Sequence, residues 1–211
     1  MCFSQNLSLA AFCFGILGSM LLLHFGNKKS TSTNKTIAYF FIFVALMQLV
    51  EYFLWADINC STGINRLGAI IGPLLNHLQP IVLLILASLF LKSANIISSN
   101  ILITINALYF CYIIYQYYKY ITNTSNLCVK TNSQNHLNWT WKKDFYYAFY
   151  ILVLFVNIIN FYTNTDLVVA LAISCIFLIT SRLNFDKNIG ELWCLMVTSV
   201  PLIILTLQKL I

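Results

Sequence analysis

Residues 37–56 read IAYFFIFVALMQLVEYFLWA, a run whose single charge is Glu51. About 20 consecutive apolar residues is what an α-helix needs to cross the hydrocarbon core of a bilayer. Working outward, apolar runs recur at 7–25, 67–91, 101–118, 145–162, 167–181 and 192–207. The runs from 101 onward fall short of a full crossing and borrow flanking residues. Polar connections separate them at 27–36, 57–66, 92–100, 119–144, 163–166 and 182–190. The alternation of apolar and polar residues that marks a membrane barrel is absent. The expected fold is therefore all-α: a single domain over residues 1–211, built as an integral membrane bundle of seven transmembrane helices, with its one long polar loop at 119–144.

Composition supports the same reading. The chain is 60% hydrophobic and 9% charged, where a soluble domain carries about 25% charged residues. Its net charge of +6 comes from Lys and Arg between the apolar runs, where basic residues normally flank spans. No basic face with interleaved aromatics can be drawn, so nucleic acid is not an expected partner. The expected partner is the lipid bilayer; homo-oligomers are allowed, and the ligand is not legible. The first run lacks a basic leader and a small-residue cleavage site, so it reads as a retained span and not a removable signal.

Orientation is contested by the charges. Lys28, Lys29 and Lys35 follow the first run with nothing basic before it, which favours an outside N-terminus and a cytoplasmic C-terminus. The sum opposes this, with Arg66, Lys119, Lys130, Lys142, Lys143, Arg182 and Lys187 on the N-terminal side, against those three plus Lys92 and Lys209. Seven spans place Cys60 and Cys128 on one side, where an oxidising compartment could join them. Glycosylation sequons start at Asn59, Asn123 and Asn138 on that side, against Asn34 on the other. We therefore expect the N-terminus to be outside or lumenal.

Few groups can carry chemistry. Glu51 is the acid well inside a run, and Gln48 and Trp55 share its helical face at i−3 and i+4. A carboxylate at that depth is costly and should face the bundle or a wet cavity. The third run contains Asn76-His77-Leu78-Gln79-Pro80 after Gly72-Pro73. Pro80 cannot donate to the carbonyl of Asn76, so a kink and a small polar pocket are expected there. Glu191 opens the last run. Alternating spans would bring Glu51, His77 and Glu191 to one half of the bilayer, within reach of Cys2 and Ser4. Asn157, Asn160 and Asn164 form an amide stripe of the kind that bonds helices together.

The start Met1-Cys2-Phe3-Ser4, the pattern Gln48-x-x-Glu51-x-x-x-Trp55 and the pattern Asn76-His77-x-Gln79-Pro80 resemble an uncharacterised multi-pass membrane protein family of giant DNA viruses. The likeness covers about the first three helices. A bacterial family of unknown function that opens with the same four residues is a more distant likeness. The viral resemblance implies a protein of host or virion membranes and transfers no activity.

Three functions follow as expectations. A polar pocket near the N-terminal face, made by Glu51, His77, Gln79 and Glu191 with Gln48, Asn76 and Trp55, would handle an ion, a proton or a small ligand. A viral or host membrane scaffold would use those groups for packing alone. A metal-dependent lipid hydrolase would need Glu51, His77 and Glu191 as ligands. Its precedent is thin, because His24, His77 and His136 are dispersed and no close Cys pair occurs. No glycine-rich phosphate loop is present and no lysine precedes Lys209 in the last run, so no cofactor is expected and an enzyme is disfavoured.

Overall fold

The computed structural model describes residues 4–94, 96–132, 136–143, 145–184 and 189–210, without the side chains of residues 182, 184 and 189–192. Cys2, Asp144 and Lys187, and the side chains of Arg182 and Glu191, thus lie outside the described residues. The described residues form α1 (Gln5–Phe25), α2 (Thr31–Ala56), α3 (Ile64–His77), α4 (Gln79–Phe90), α5 (Ser99–Thr122), α6 (Tyr147–Ile159), α7 (Thr165–Asn184), α8 (Ile189–Val197) and α9 (Val200–Leu210). Their only β-pairing is an isolated bridge between Thr131 and Leu137.

Among the described residues, four segments are long and apolar enough to cross a membrane: Gln5–Phe25, Lys28–Ala56, Ser99–Thr122 and Trp193–Leu210. Two stretches differ from the simple runs of the sequence. The run at 67–91 is divided into α3 and α4, which meet at Leu78 with a bend of 51°. The last run breaks at Thr198-Ser199, just before Pro201 of α9. The missing proline amide explains both, because a helix cannot carry its hydrogen-bond ladder unbroken through that position. The helix within 145–162 is also shorter than its run, Tyr147–Ile159, and Phe145 belongs to the preceding loop.

The surface is inverted relative to a water-soluble protein. Leu17, Met20, Leu108, Tyr115, Leu152, Phe155, Ile176 and Leu183 are all more than half exposed. Contiguous apolar exposure of this kind is stable only against lipid or another apolar surface. α2 is the hub, packing on α1, α3, α4, α7, α8 and α9. α1 meets its neighbours through small residues: a Cβ at Gly15 would lie 3.0 Å from Ala45 of α2 and 3.1 Å from Thr198. Such contacts let helix backbones approach closely where lipid supplies no hydrophobic drive for association.

The connections gather at two ends. At one, the Gln208 side chain accepts from the Asn27 amide and donates to Asn34 Oδ1 and Asp166 Oδ2. At the same end of α6, Asn160 Nδ2 donates to Ser93 Oγ, and its Oδ1 accepts from the Ile97 amide. At the other end, a disulfide joins Cys60 to Cys128. Asn65 stitches the same two loops, exchanging hydrogen bonds with the backbone of Val129 and donating to the Leu54 carbonyl. Asp57 closes the first of these loops through the amides of Ser61, Thr62 and Asn65. Burial works against its charge, yet those amide donors hold its carboxyl well below the usual carboxylate range.

The loop at 123–146 is more than a polar connection. Leu127, Val129, Leu137, Trp139, Trp141 and Phe145 are buried and join the apolar cluster that contains Met47, Val50 and Leu54 of α2. Trp139 and Trp141 stack at 5.0 Å, and Trp141 lies on Gly72 of α3, where a Cβ would come within 2.6 Å of the indole. Only glycine admits the ring at that distance. The described residues of the segment form a folded lid docked into the bundle.

Candidate functional site

The break between α3 and α4 frees backbone groups, and the neighbouring helices satisfy them. Tyr109 Oη of α5 donates to the His77 carbonyl at 3.0 Å. Asn157 Nδ2 of α6 donates to the Pro80 carbonyl at 2.8 Å and is locked reciprocally to the Asn106 amide of α5. Tyr150 Oη of α6 donates to Gln79 Oε1 at 2.6 Å. Asn157 and Asn160 thus act as helix glue, each bonding to a different segment. An unsatisfied carbonyl at membrane depth costs several kcal/mol, roughly, which is why the bend comes with this set of donors.

His77 is 1% exposed, stacked on Phe145 at 4.1 Å with planes 8° apart, and edged by Tyr147 and Tyr150. Asn76 makes a long contact of 3.5 Å with Tyr147 Oη. Asn76, His77 and Gln79 are therefore brought together around Tyr147 and Tyr150. Glu51 and Gln48 are each 1% exposed on the inner face of α2, with Trp55 half-buried one turn further on. Leu54 meets Gly68 of α3, so antiparallel packing sets Glu51 about level with Gly72, one turn along each helix. Nε2 of Gln48, His77 and Gln79 and Nε1 of Trp55 are buried without a protein hydrogen-bond partner. Glu191 lies in α8, its side chain outside the described residues. Among the described residues no three His, Cys, Asp or Glu side chains gather as a metal site.

A cleft lies elsewhere in the bundle. α6 packs on α4 and α5, whereas α7 packs on α2, α8 and α9. The hairpin joining α6 to α7 consequently stands open and leaves a cleft of about 580 Å³. Specific ligand pockets fall in the range of about 300–1,000 Å³. Tyr147, Tyr150, Ile151, Leu154 and Ile158 form one wall; Leu171, Ser174, Cys175, Leu178 and Ile179 form the other. Both sets follow helical spacing, i, i+3, i+4 and i+7. Phe40, Phe41 and Val44 of α2 close the back, and Asn76, Lys142, Leu183 and Trp193 complete the lining. Of the residues expected from sequence, Asn76 alone among those described reaches this space.

The cleft has a polarity gradient. Lys142 of the lid, Asn76 and Tyr147 stand at the lid end, and no Asp or Glu is among the described lining residues. Tyr147 to Ile158 covers eleven positions of α6, about 16 Å of helix. The far end, at Phe40, Ile158 and Leu171, is wholly apolar. Lys142 Nζ lies 5.7 Å from the centroid of the Trp139 ring, so the docked lid orients the cation. Sequence inspection passed over these residues because each sits in an ordinary span or in the long loop. The available signal was Leu137-x-Trp139-x-Trp141, an alternation too apolar for a solvated connection.

No family model matches the chain, and no curated protein or solved structure is similar enough to it to count as a match.

Proposed function

We propose that this is a seven-span integral membrane protein that binds a small amphiphilic ligand in the cleft between α6 and α7. In this arrangement α3 with α4 counts as one bent span, α8 with α9 supplies another, and the shorter α6 and α7 complete the set. The alternation of connections between a lid end and a Gln208–Asn160 end supports it. The lid end is assigned to the lumenal or extracellular side. Its disulfide belongs in an oxidising compartment. The sequon residues Asn59, Asn123 and Asn138 at that end are exposed, while Asn34 at the other end is 3% exposed. The resemblance of three motifs to a giant-virus family supports a host or virion membrane as its home.

The observation that carries the ligand reading is the cleft itself: enclosed at the back, apolar along its length and polar at one end. Cys175 is exposed on its wall, which gives a direct test. With Cys2, Cys13 and Cys111 changed to Ser, in nanodiscs, hexadecanol is expected to slow alkylation of Cys175 by a maleimide. Ile151→Trp, which fills the cleft, should abolish that protection. Alkylation unaffected by any sixteen-carbon amphiphile would end the binding reading.

The burial of Glu51 supports a second reading, proton or ion handling through α2. It requires pH-driven flux in liposomes that falls when Glu51→Gln is introduced. Background flux in both proteins removes it.

A further inference from the structure

We infer that this cleft is loaded sideways from the membrane, by a single-chain lipid of the lid-side leaflet that enters between α6 and α7. The inference deepens the ligand reading above and rests on it. The direction follows from which walls are covered. At the back, Phe41 and Val44 are each 1% exposed, whereas Ile151 and Ile179, which line the same space, are 47% and 58% exposed. Phe155 and Ile176 beside them are also more than half exposed. The mouth therefore lies on the flank of the bundle, and its lips continue the apolar surface that lipid covers. The lid end is roofed. Trp141 is seated on Gly72, one turn before Asn76 on α3, and Asn76 lines the cleft while being 3% exposed. An alkyl chain arriving by that end would cross water. One arriving through the flank passes from hydrocarbon to hydrocarbon and exposes no methylene.

Depth and shape identify the occupant. Tyr115 and Tyr118 of α5 and Tyr146 before α6 are exposed towards the lid end, an aromatic belt of the kind found at headgroup level. From there the cleft descends along α6 by about 16 Å, close to half of a hydrocarbon core about 30 Å thick. It thus spans one leaflet, with Asn76 at the level of that leaflet's heads. A glycerolipid branches into two chains just beneath its head, which is the level that the lid and Asn76 enclose. A single-chain lipid has no branch there. Its head reaches Asn76, whose amide can both donate and accept, and its chain follows the groove.

Photolabelling in nanodiscs tests this, with a hexadecanol and a phosphatidylcholine whose chains carry the same mid-chain diazirine. Mass spectrometry compares labelling of Leu154, Cys175 and Leu178 on the cleft walls with that of Leu108 and Phe110, exposed on α5. The alcohol is expected to favour the cleft walls about tenfold, and the phosphatidylcholine to show no such excess. Ile151→Trp and Ile179→Trp, one on each lip, should each remove the excess and leave α5 labelling unchanged. Moving the diazirine to the chain terminus should shift the label towards Ile158 and Leu171; a shift towards Tyr150 would place the head at the wrong end and overturn the leaflet assignment. With Cys2, Cys13 and Cys111 changed to Ser, Cys175 should resist a charged, membrane-impermeant methanethiosulfonate that readily modifies Asn138→Cys on the exposed lid surface. Modification of Cys175 as fast as that reference would put the mouth in water and overturn the sideways route. A phosphatidylcholine excess equal to the alcohol's would overturn the single-chain assignment, and both results leave the cleft a binding site. No excess for either probe overturns the inference; if hexadecanol also fails to protect Cys175 from alkylation, the ligand reading falls with it.

Discussion

Trp141→Ala is expected to destabilise the protein by about 3–5 kcal/mol, the usual cost of emptying a fully buried tryptophan site. For a chain of this size that corresponds to a fall in melting temperature of roughly 10 °C. The indole is fully buried, seated on Gly72 and edge-on to Tyr120. Neither neighbour can fill the hole: Gly72 has no side chain, and Tyr120 is fixed by its hydrogen bond to the Asn126 carbonyl. The loss should appear in a thermal melt of detergent-purified protein. A melting temperature within a degree or so of wild type would mean that the lid does not rest on the bundle.

Breaking the bridge is expected to cost somewhat less. The cysteines are separated by 68 residues, and free loop closure over that length would contribute about 4 kcal/mol. In the proposed arrangement a membrane already confines the intervening helices, so we expect about 2–4 kcal/mol, the lower part of that range being the more physical. The double variant Cys60→Ser, Cys128→Ser should melt lower than oxidised wild type and be indifferent to reductant. Reduced wild type should match it. Wild-type protein whose melting ignores reductant would show that the bond does not staple the loops.

Much of this architecture was legible in the residues, for physical reasons that differ by element. The runs around 7–25 and 37–56 are about as long as a bilayer demands, so composition alone announces them. The bend at Leu78 was foreshadowed by Pro73 and Pro80, because a missing amide leaves a signature in the chain itself. Glu51 could be marked as buried because an acid amid Phe40–Trp55 has no water nearby. Its neighbours could not be named, since those depend on how α2 meets other helices. The lid escaped notice for a related reason. Leu137, Trp139 and Trp141 are too few to register as a hydrophobic run, and only their docking against Gly72 turns them into core. The cleft was the least legible feature. α6 and α7 commit to different partners, and no local pattern records that choice.

The Cys60–Cys128 bond also has a bearing on how the chain is threaded during synthesis. Between the two thiols lie α3, α4 and α5, so Cys128 emerges only after that whole stretch has been inserted. In the seven-span arrangement we propose, α3–α4 is one crossing and α5 the next, so an even number of traverses returns the second thiol to the compartment of the first. A molecule that skipped one of them would strand its sulfurs on opposite faces of the bilayer. The oxidised chain is therefore a certificate of correct topogenesis, written by geometry at the moment the bridge closes.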